Sequence, residues 1–346
     1  MNASSTDFSR MVTGFLTDYL PLQRNYSRNT ILSYRDTLRL FIRYLTDEKM
    51  ININRFRLKD FNRTMVIGFL EWYRKNGASP SAANQRLAAL KAFAQYAQLE
   101  NVELLAPLME VSGVKSKKAQ ERDISYLTSD QMKKLINFPS VNTPTEFRHR
   151  VAMTLLYDSG CRVQELCDIT ISDVFAGTNT SVKLHGKGAK TRTVIVSDET
   201  GKLLRTFIDR YHRNSNGDSP LIFNRFGHKM DRDGMGYIIE KYAKRIRLDD
   251  PSFPSKVHCH MFRHSKAMHM LEAGINIVYI RDFLGHEDVS TTMIYLRADN
   301  RLKDDAVNKL APKIAGDIPL PDWKILQWTP GSDKRCSRQL PGKALL

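Results

Sequence analysis

The stretch from Pro107 to Ser125, read through "SGVKSKKAQERDIS", is poor in apolar residues and rich in lysine. A segment of that composition has little to bury, so it is expected to join two cores rather than to cross one. At 346 residues, two cores are expected on size as well, because single cores stop growing near about 250–300 residues. The chain is therefore read as four parts: a domain over residues 1–106, a basic linker over 107–125, a second domain over 126–312 and a tail over 313–346.

The first domain has helical spacing. In "NTILSYRDTLRLFIRYL" the residues Ile31, Tyr34, Leu38, Phe41, Ile42 and Leu45 fall on one stripe. "SPSAANQRLAALKAFAQYAQ" repeats the pattern, with Ser79 placed as an N-cap and Pro80 at the first helical position.

The second domain opens with Thr128 or Ser129 capping "LTSDQMKKLI". The apolar helix "RVAMTLLYDSG" breaks at Gly160, and "TSVKLHGKGAKTRTVIVS" alternates apolar and polar residues on both sides of a glycine-containing tip, as a β-hairpin does. Helical spacing resumes at "GMGYIIEKYAKRI", "HMFRHSKAMHMLEAG" and "INIVYIRDFLG", so this domain is expected to be mainly α with one small sheet. A short helix is expected to show Leu302, Ala306, Val307 and Leu310 on one stripe, ended by Pro312; the proline-containing tail after it carries Trp323 and Trp328.

Fifty-three Lys and Arg against 37 Asp and Glu leave a formal charge of +16, which points to a polyanionic partner, nucleic acid or an anionic membrane surface. The start "MNASSTDFSRMVTGFL" lacks a basic region followed by a long apolar run, and no stretch approaches the ~20 apolar residues of a membrane span, so an unexported protein without a membrane partner is expected. Cys161, Cys167, Cys259 and Cys336 have no CxxC spacing, which fits a reducing compartment and offers no zinc site.

Five segments carry groups suited to a phosphate. Arg162 in "GCRVQEL" follows a turn, with Glu165 three positions on to hold its guanidinium; Lys187 sits between two glycines at the hairpin tip; His260 and Arg263 in "HMFRH" project from one helix face. His264 and His260 at i,i+4 would suit a metal edge, but no carboxylate accompanies them as an HExxH motif requires, so no metal is expected. His286 follows Gly285, a glycine suited to a left-handed helix end, and Tyr295 lies beyond a second helix start. Two guanidiniums can meet the charge that develops on a phosphodiester under attack. A phenol with pKa about 10 needs a neighbouring cation and a base to become a nucleophile, a role expected for His260, and a lysine of lowered pKa can protonate the leaving oxygen.

The order and spacing of these motifs resemble the tyrosine recombinases, or phage integrases. The resemblance runs through nearly the whole chain and implies a mainly α fold: a helical N-terminal core-binding domain and an α-rich catalytic domain with a small antiparallel β-sheet. It puts Arg162, Lys187, His260, Arg263 and His286 on the family's catalytic positions and Tyr295 on its nucleophile. It further implies site-specific cleavage and rejoining of double-stranded DNA through a 3′-phosphotyrosyl link with a free 5′-hydroxyl, needing neither metal nor cofactor. Family members act as homotetramers that exchange a C-terminal helix, for which residues 302–310 are a candidate, with packing in their own subunit equally open. A cytoplasmic, nucleoid-associated bacterial protein of a mobile element is the expectation, acting in integration, excision or transposition.

DNA contacts are expected from Arg28, Arg35, Arg39 and Arg43 on one helix and from Gln85, Arg86 and Lys91 on another. Lys115, Lys117 and Lys118 in the linker, and Lys190 and Arg192 after the hairpin tip, complete that set. A type IB topoisomerase shares the same chemistry and a DNA-binding regulator would share the same surface, so both readings stay open at the level of sequence.

Overall fold

The computed structural model describes residues 6–118, 124–177, 179–186, 190–286, 288 and 290–298. Lys187, the helix expected over 302–310 and the tail lie outside the described residues. The chain divides into two compact units, the first ending near residue 122.

The first unit is helical: α1 (Asp7–Gly14), which runs on into wider turns over Phe15–Gln23, then α2 (Arg28–Arg43), α3 (Arg63–Lys75), α4 (Pro80–Glu100) and α5 (Leu105–Ser112). Each long helix starts on a side chain that takes an orphan amide: Ser27 Oγ accepts from Thr30 N, Asn62 Oδ1 from Met65 N and Ser79 Oγ from Ala82 N, with Pro80 first in α4 as its sequence position predicts. The stripe expected on α2 faces inward, with Leu38, Phe41 and Leu45 buried and Ile31, Tyr34 and Ile42 packed against the core. That core is aromatic. Phe93 of α4 meets Phe61 at 5.2 Å, Phe15 at 5.4 Å and Phe8 at 5.7 Å, all edge to face, the arrangement that ring quadrupoles favour.

The linker expected from residue 107 begins later. Leu104, Leu108 and Val111 recur at helical spacing, α5 forms over Leu105–Ser112, and Leu108, Val111 and Val114 are buried in the first core. Pro107 sits in the first turn of α5, where no intrahelical donor is needed from it. Even Lys117 is held, because Asn84 Nδ2 donates to its carbonyl at 2.8 Å and Asn84 Oδ1 accepts from its amide at 3.0 Å. Lysine content marked the exposed side of this segment and masked its apolar stripe.

The second unit carries α6 (Ser129–Asn137), α7 (Pro144–Asp158), α8 (Val163–Asp168), strands β1 (Val174–Ala176), β2 (Thr180–His185) and β3 (Thr191–Ile195), then α9 (Asp198–Tyr211), α10 (Arg232–Asp249), α11 (Cys259–Glu272), α12 (Ile277–Leu284) and α13 (Ser290–Ala298). Thr128 caps α6, and Gln131 closes the reciprocal bond to the Thr128 amide. The strands form one antiparallel sheet in the order β1-β2-β3. In the expected hairpin Ser181 pairs with Ile195 and His185 with Thr191, so Val182, Leu184 and Val194 bury one face. β1 was not legible in the sequence, being three residues long. Helix α11 packs on α6, α7, α10, α12 and α13, burying Met261, Phe262, Ala267, Met268 and Leu271, so every residue that it presents to the site rides on a fixed element.

The Phe93→Ala protein is expected to lose about 3–5 kcal/mol of first-unit stability, the range for truncating a buried phenylalanine, as read by urea unfolding followed at the first unit's tryptophan, Trp72. Gly160 has φ +57°, and a Cβ there would lie 2.9 Å from Phe283 Cε1. Gly160→Ala should therefore lower the melting temperature of the second unit, by a destabilisation of about 1–3 kcal/mol.

Candidate active site

The turn after α7 starts the site. Gly160 takes the left-handed conformation that glycine adopts without penalty, and the chain re-enters helix at α8 with Arg162 as its N-cap. Glu165, at the third position of α8, turns back: one carboxylate oxygen accepts from the Arg162 amide at 2.9 Å and the other from Arg162 Nη1 at 2.9 Å. The same carboxylate takes a two-pronged contact from Arg192 on β3, at 3.1 Å from Nη1 and 2.8 Å from Nη2. Burial alone would raise the pKa of Glu165, but the hydrogen bonds from Arg192 and Arg162 outweigh it and hold the carboxyl below the usual range.

Arg263 on α11 is 1% exposed. Its Nη1 donates to Gly160 O and its Nη2 to Leu284 O, both at 2.8 Å, so one side chain joins the turn after α7 to the end of α12. Burial, and then the nearby Arg162 and Arg192, lower its pKa to about 10, which still leaves it charged at neutral pH. Three guanidiniums thus surround one carboxylate, and the excess positive charge is suited to an anion.

Helix α12 ends at Gly285, φ +67°, as the sequence position predicts for a helix-ending glycine. A Cβ at Gly285 would lie 3.0 Å from Arg192 Cδ, a tight approach of the backbone to that side chain. His286 follows, its Nδ1 sharing a 2.9 Å hydrogen bond with the buried Thr292 Oγ1 of α13. Burial, then Arg263 and Arg162, push its pKa down to about 4, so the ring is neutral at pH 7.

Tyr295 lies on α13 and is 1% exposed. Its phenol shares a 3.0 Å hydrogen bond with His264 Nδ1. Burial raises its pKa more than the attraction of Arg263 and Arg162 lowers it. His260 was expected beside this phenol. Its ring instead packs edge to face on His264, with centroids 4.4 Å apart, and opens to solvent on the other side. The two histidines stand one helical turn apart on one face of α11, so their spacing alone could not say which of them meets Tyr295. Desolvation lowers the pKa of His264 to about 4 and also lowers that of His260, which Arg263 depresses further.

Arg162, Glu165, His260, Arg263, His286 and Tyr295 are therefore brought into one neighbourhood, and His264, Thr292 and Arg192 join them. The DNA-contact set is sorted by its surroundings. On α2, Arg28, Arg35, Arg39 and Arg43 are exposed, as are Gln85, Lys115, Lys117, Lys118 and Lys190, while Lys91 is half-buried. Two members have partners within their own unit. Arg86 turns toward α2, where its Nη1 donates to Ser33 O at 3.3 Å and Thr37 Oγ1 at 3.1 Å, and Arg192 is committed to Glu165. Both have long side chains near a buried acceptor, a circumstance that charge alone does not reveal. Among the described residues, no group of three or more His, Cys, Asp and Glu side chains is placed to hold a metal ion, and no helix is long and apolar enough to cross a membrane.

The chain has relatives of known family. Residues 13–101 match the N-terminal SAM-like domain of phage integrases, and residues 125–301 match the phage integrase family. A putative integrase/recombinase of Sinorhizobium fredii, y4rC, is 29% identical over 305 residues, covering 87% of this chain and 91% of that protein. A tyrosine recombinase of Thermosipho africanus is 30% identical over 305 residues, covering 86% and 99%. The crystal structure of the XerH site-specific recombinase on a palindromic difH substrate, a post-cleavage complex, matches with a TM-score of 0.65 over 82% of this chain and 81% of that one; at 22% identity this likeness bears on the fold. The family match over residues 125–301, together with the relative that is 30% identical over 86% of the chain, places this chain in the phage integrase family, the tyrosine recombinases.

Proposed function

We propose that this chain is a site-specific DNA recombinase whose nucleophile is Tyr295. The observation that carries the reading is the convergence of Arg162 and Arg263, each held by protein acceptors, on the neighbourhood of a tyrosine from a separate helix. Guanidiniums fixed in this way need no reorganisation when charge builds on the nonbridging oxygens of a phosphodiester.

In the proposed step the Tyr295 oxygen bonds to phosphorus while the bond to the 5′ oxygen breaks, leaving a 3′-phosphotyrosyl link and a 5′-hydroxyl. The phenol must first leave His264 and turn to the phosphate. Its proton passes to a neutral imidazole, and His260, which is open to solvent next to that position, is the acceptor we assign. His286, neutral and oriented by Thr292, donates a hydrogen bond to a nonbridging oxygen. Lys187, from its sequence position at the hairpin tip, protonates the leaving oxygen. Attack by the 5′-hydroxyl of a partner strand reverses the step. The phosphodiester energy stays in the covalent link, so neither ATP nor a metal enters the balance.

The partner is double-stranded DNA carrying a specific site. The DNA-bound XerH relative, caught after cleavage, supports this reading. We further assign the exposed α2 arginines to the DNA backbone, a homotetramer formed through the C-terminal segment, and a bacterial cytoplasmic role with a mobile element. The Sinorhizobium fredii relative, named an integrase/recombinase, supports the last of these.

Arg162→Ala is expected to lower the rate of strand cleavage by about 10²–10³-fold, the usual cost of losing a donor to a developing oxyanion, while duplex affinity changes little because backbone contacts are spread over many side chains. Gel-shift titration beside single-turnover cleavage of a nicked site separates the two, and loss of binding in proportion to cleavage would contradict the assignment. Affinity should also fall steeply between about 50 and 200 mM salt through counterion release. Recombinant junctions among the products distinguish this reading from a topoisomerase, which would relax supercoils and yield none.

A further inference from the structure

Arg192 is not among the groups that the proposed reaction uses, yet it is the most heavily engaged arginine of the site. Its side chain is 17% exposed. Nη1 and Nη2 grip the two oxygens of Glu165, and Nε donates to Phe283 O at 3.3 Å. Its aliphatic part lies against Gly285, where a Cβ would come within 3.0 Å. On its own strand Arg192 pairs with Leu184, one ladder position from the His185–Thr191 pair, and the Gly186 amide donates to Lys190 O at 2.7 Å to close the hairpin just beyond. From the hairpin strand β3 one side chain therefore touches two other elements: α8 through Glu165, and the end of α12 through Phe283 and Gly285.

The carboxylate shows what this arrangement does to Arg162. Glu165 has two oxygens, and Arg192 occupies both of them in a fork. Arg162 is left with one side-chain bond, from Nη1 to Oε1, and its side chain stays 43% exposed. If Arg192 were removed, the buried carboxylate would keep a single cationic partner and would draw the whole Arg162 fork inward, because an unpaired buried charge is costly. We propose that Arg192 is a positioning residue for the strand-cleavage reaction: it saturates Glu165 so that the Arg162 guanidinium remains turned outward, and it ties the base of the hairpin to the Gly285–His286 turn.

For its kinetic readout the inference rests on the recombinase reading, so the test also includes a readout that does not. Arg192→Gln, Glu165→Gln and the double variant would be compared with wild type as full-length proteins. Hydrogen exchange without DNA is followed in peptides covering residues 184–192 and 281–288, with the β1 peptide as internal reference. Faster exchange in both segments of Arg192→Gln, with the β1 peptide unchanged, is the expected result, and unchanged exchange in either segment would overturn the tie. Single-turnover cleavage of a nicked site is expected to fall about 100-fold in Arg192→Gln, as a small misplacement of a catalytic group can cause. Duplex Kd should stay within about threefold of wild type, since Arg192 makes no phosphate contact in this account. Adding Glu165→Gln should recover about tenfold of the lost rate, because the residues act as one network and the competing carboxylate is gone. A merely structural loss would deepen in the double variant, and that outcome, or a loss of affinity matching the loss of rate, would overturn the inference. If wild type itself forms no phosphotyrosyl product, the recombinase reading fails, while the exchange data still decide whether Arg192 makes the tie.

Discussion

A guanidinium at 1% exposure has to find acceptors for its donors inside the protein, and Arg263 finds two main-chain carbonyls that belong to different parts of the second unit. The carbonyl of Gly160 is available because a left-handed glycine turns the chain there, and that of Leu284 because α12 ends beside it. The bonds to them fix the start of the α8 segment, which carries Arg162, against the end of α12, which carries His286. Arg192 joins the same two segments through Glu165 and Phe283 O, but Arg263 does so from inside the core. The cost of burying Arg263 is offset by charged hydrogen bonds at 2.8 Å to those carbonyls, while Glu165 bonds to the two other arginines.

Burial, reinforced by the excess charge that results, acts on the histidines nearby. His264 and His286 are held near pKa 4, and His260 is lowered as well, so the imidazoles of the site are acceptors or single donors at neutral pH rather than cations. A site that gathers positive charge on permanent guanidiniums while keeping its imidazoles neutral can bind a phosphate and still accept a proton. The phenol of Tyr295, buried and bonded to His264, feels the same field, but burial outweighs the attraction of Arg263 and Arg162 and keeps it protonated in this conformation. Reactivity therefore depends on where the phenol sits as well as on which groups surround it.

Much of this was legible in the sequence. Ser79 before Pro80, Thr128 with Gln131, the alternation around "GKGAK" and Gly285 after "INIVYIRDFL" each act locally, and local physics decided them. The pairing of Arg162 with Glu165 was readable for the same reason. What could not be read depended on partners distant in sequence. Arg192 reaches Glu165 from 27 positions away, and His264 meets Tyr295 across 31, so periodicity placed each on a face without naming its neighbour. The boundary after the first unit was misplaced for a different reason: Lys115, Lys117 and Lys118, which follow α5, drew attention away from Leu108, Val111 and Val114.

The role of Tyr295 as nucleophile is tested most simply by peptide mapping of the covalent protein–DNA species formed on a nicked duplex in EDTA, the DNA being drawn from the chain's own genomic surroundings. The expected product is a 3′-phosphate attached to the peptide that contains Tyr295, with no such species from Tyr295→Phe. A DNA adduct on another residue, or cleavage by Tyr295→Phe at the wild-type rate, would contradict it.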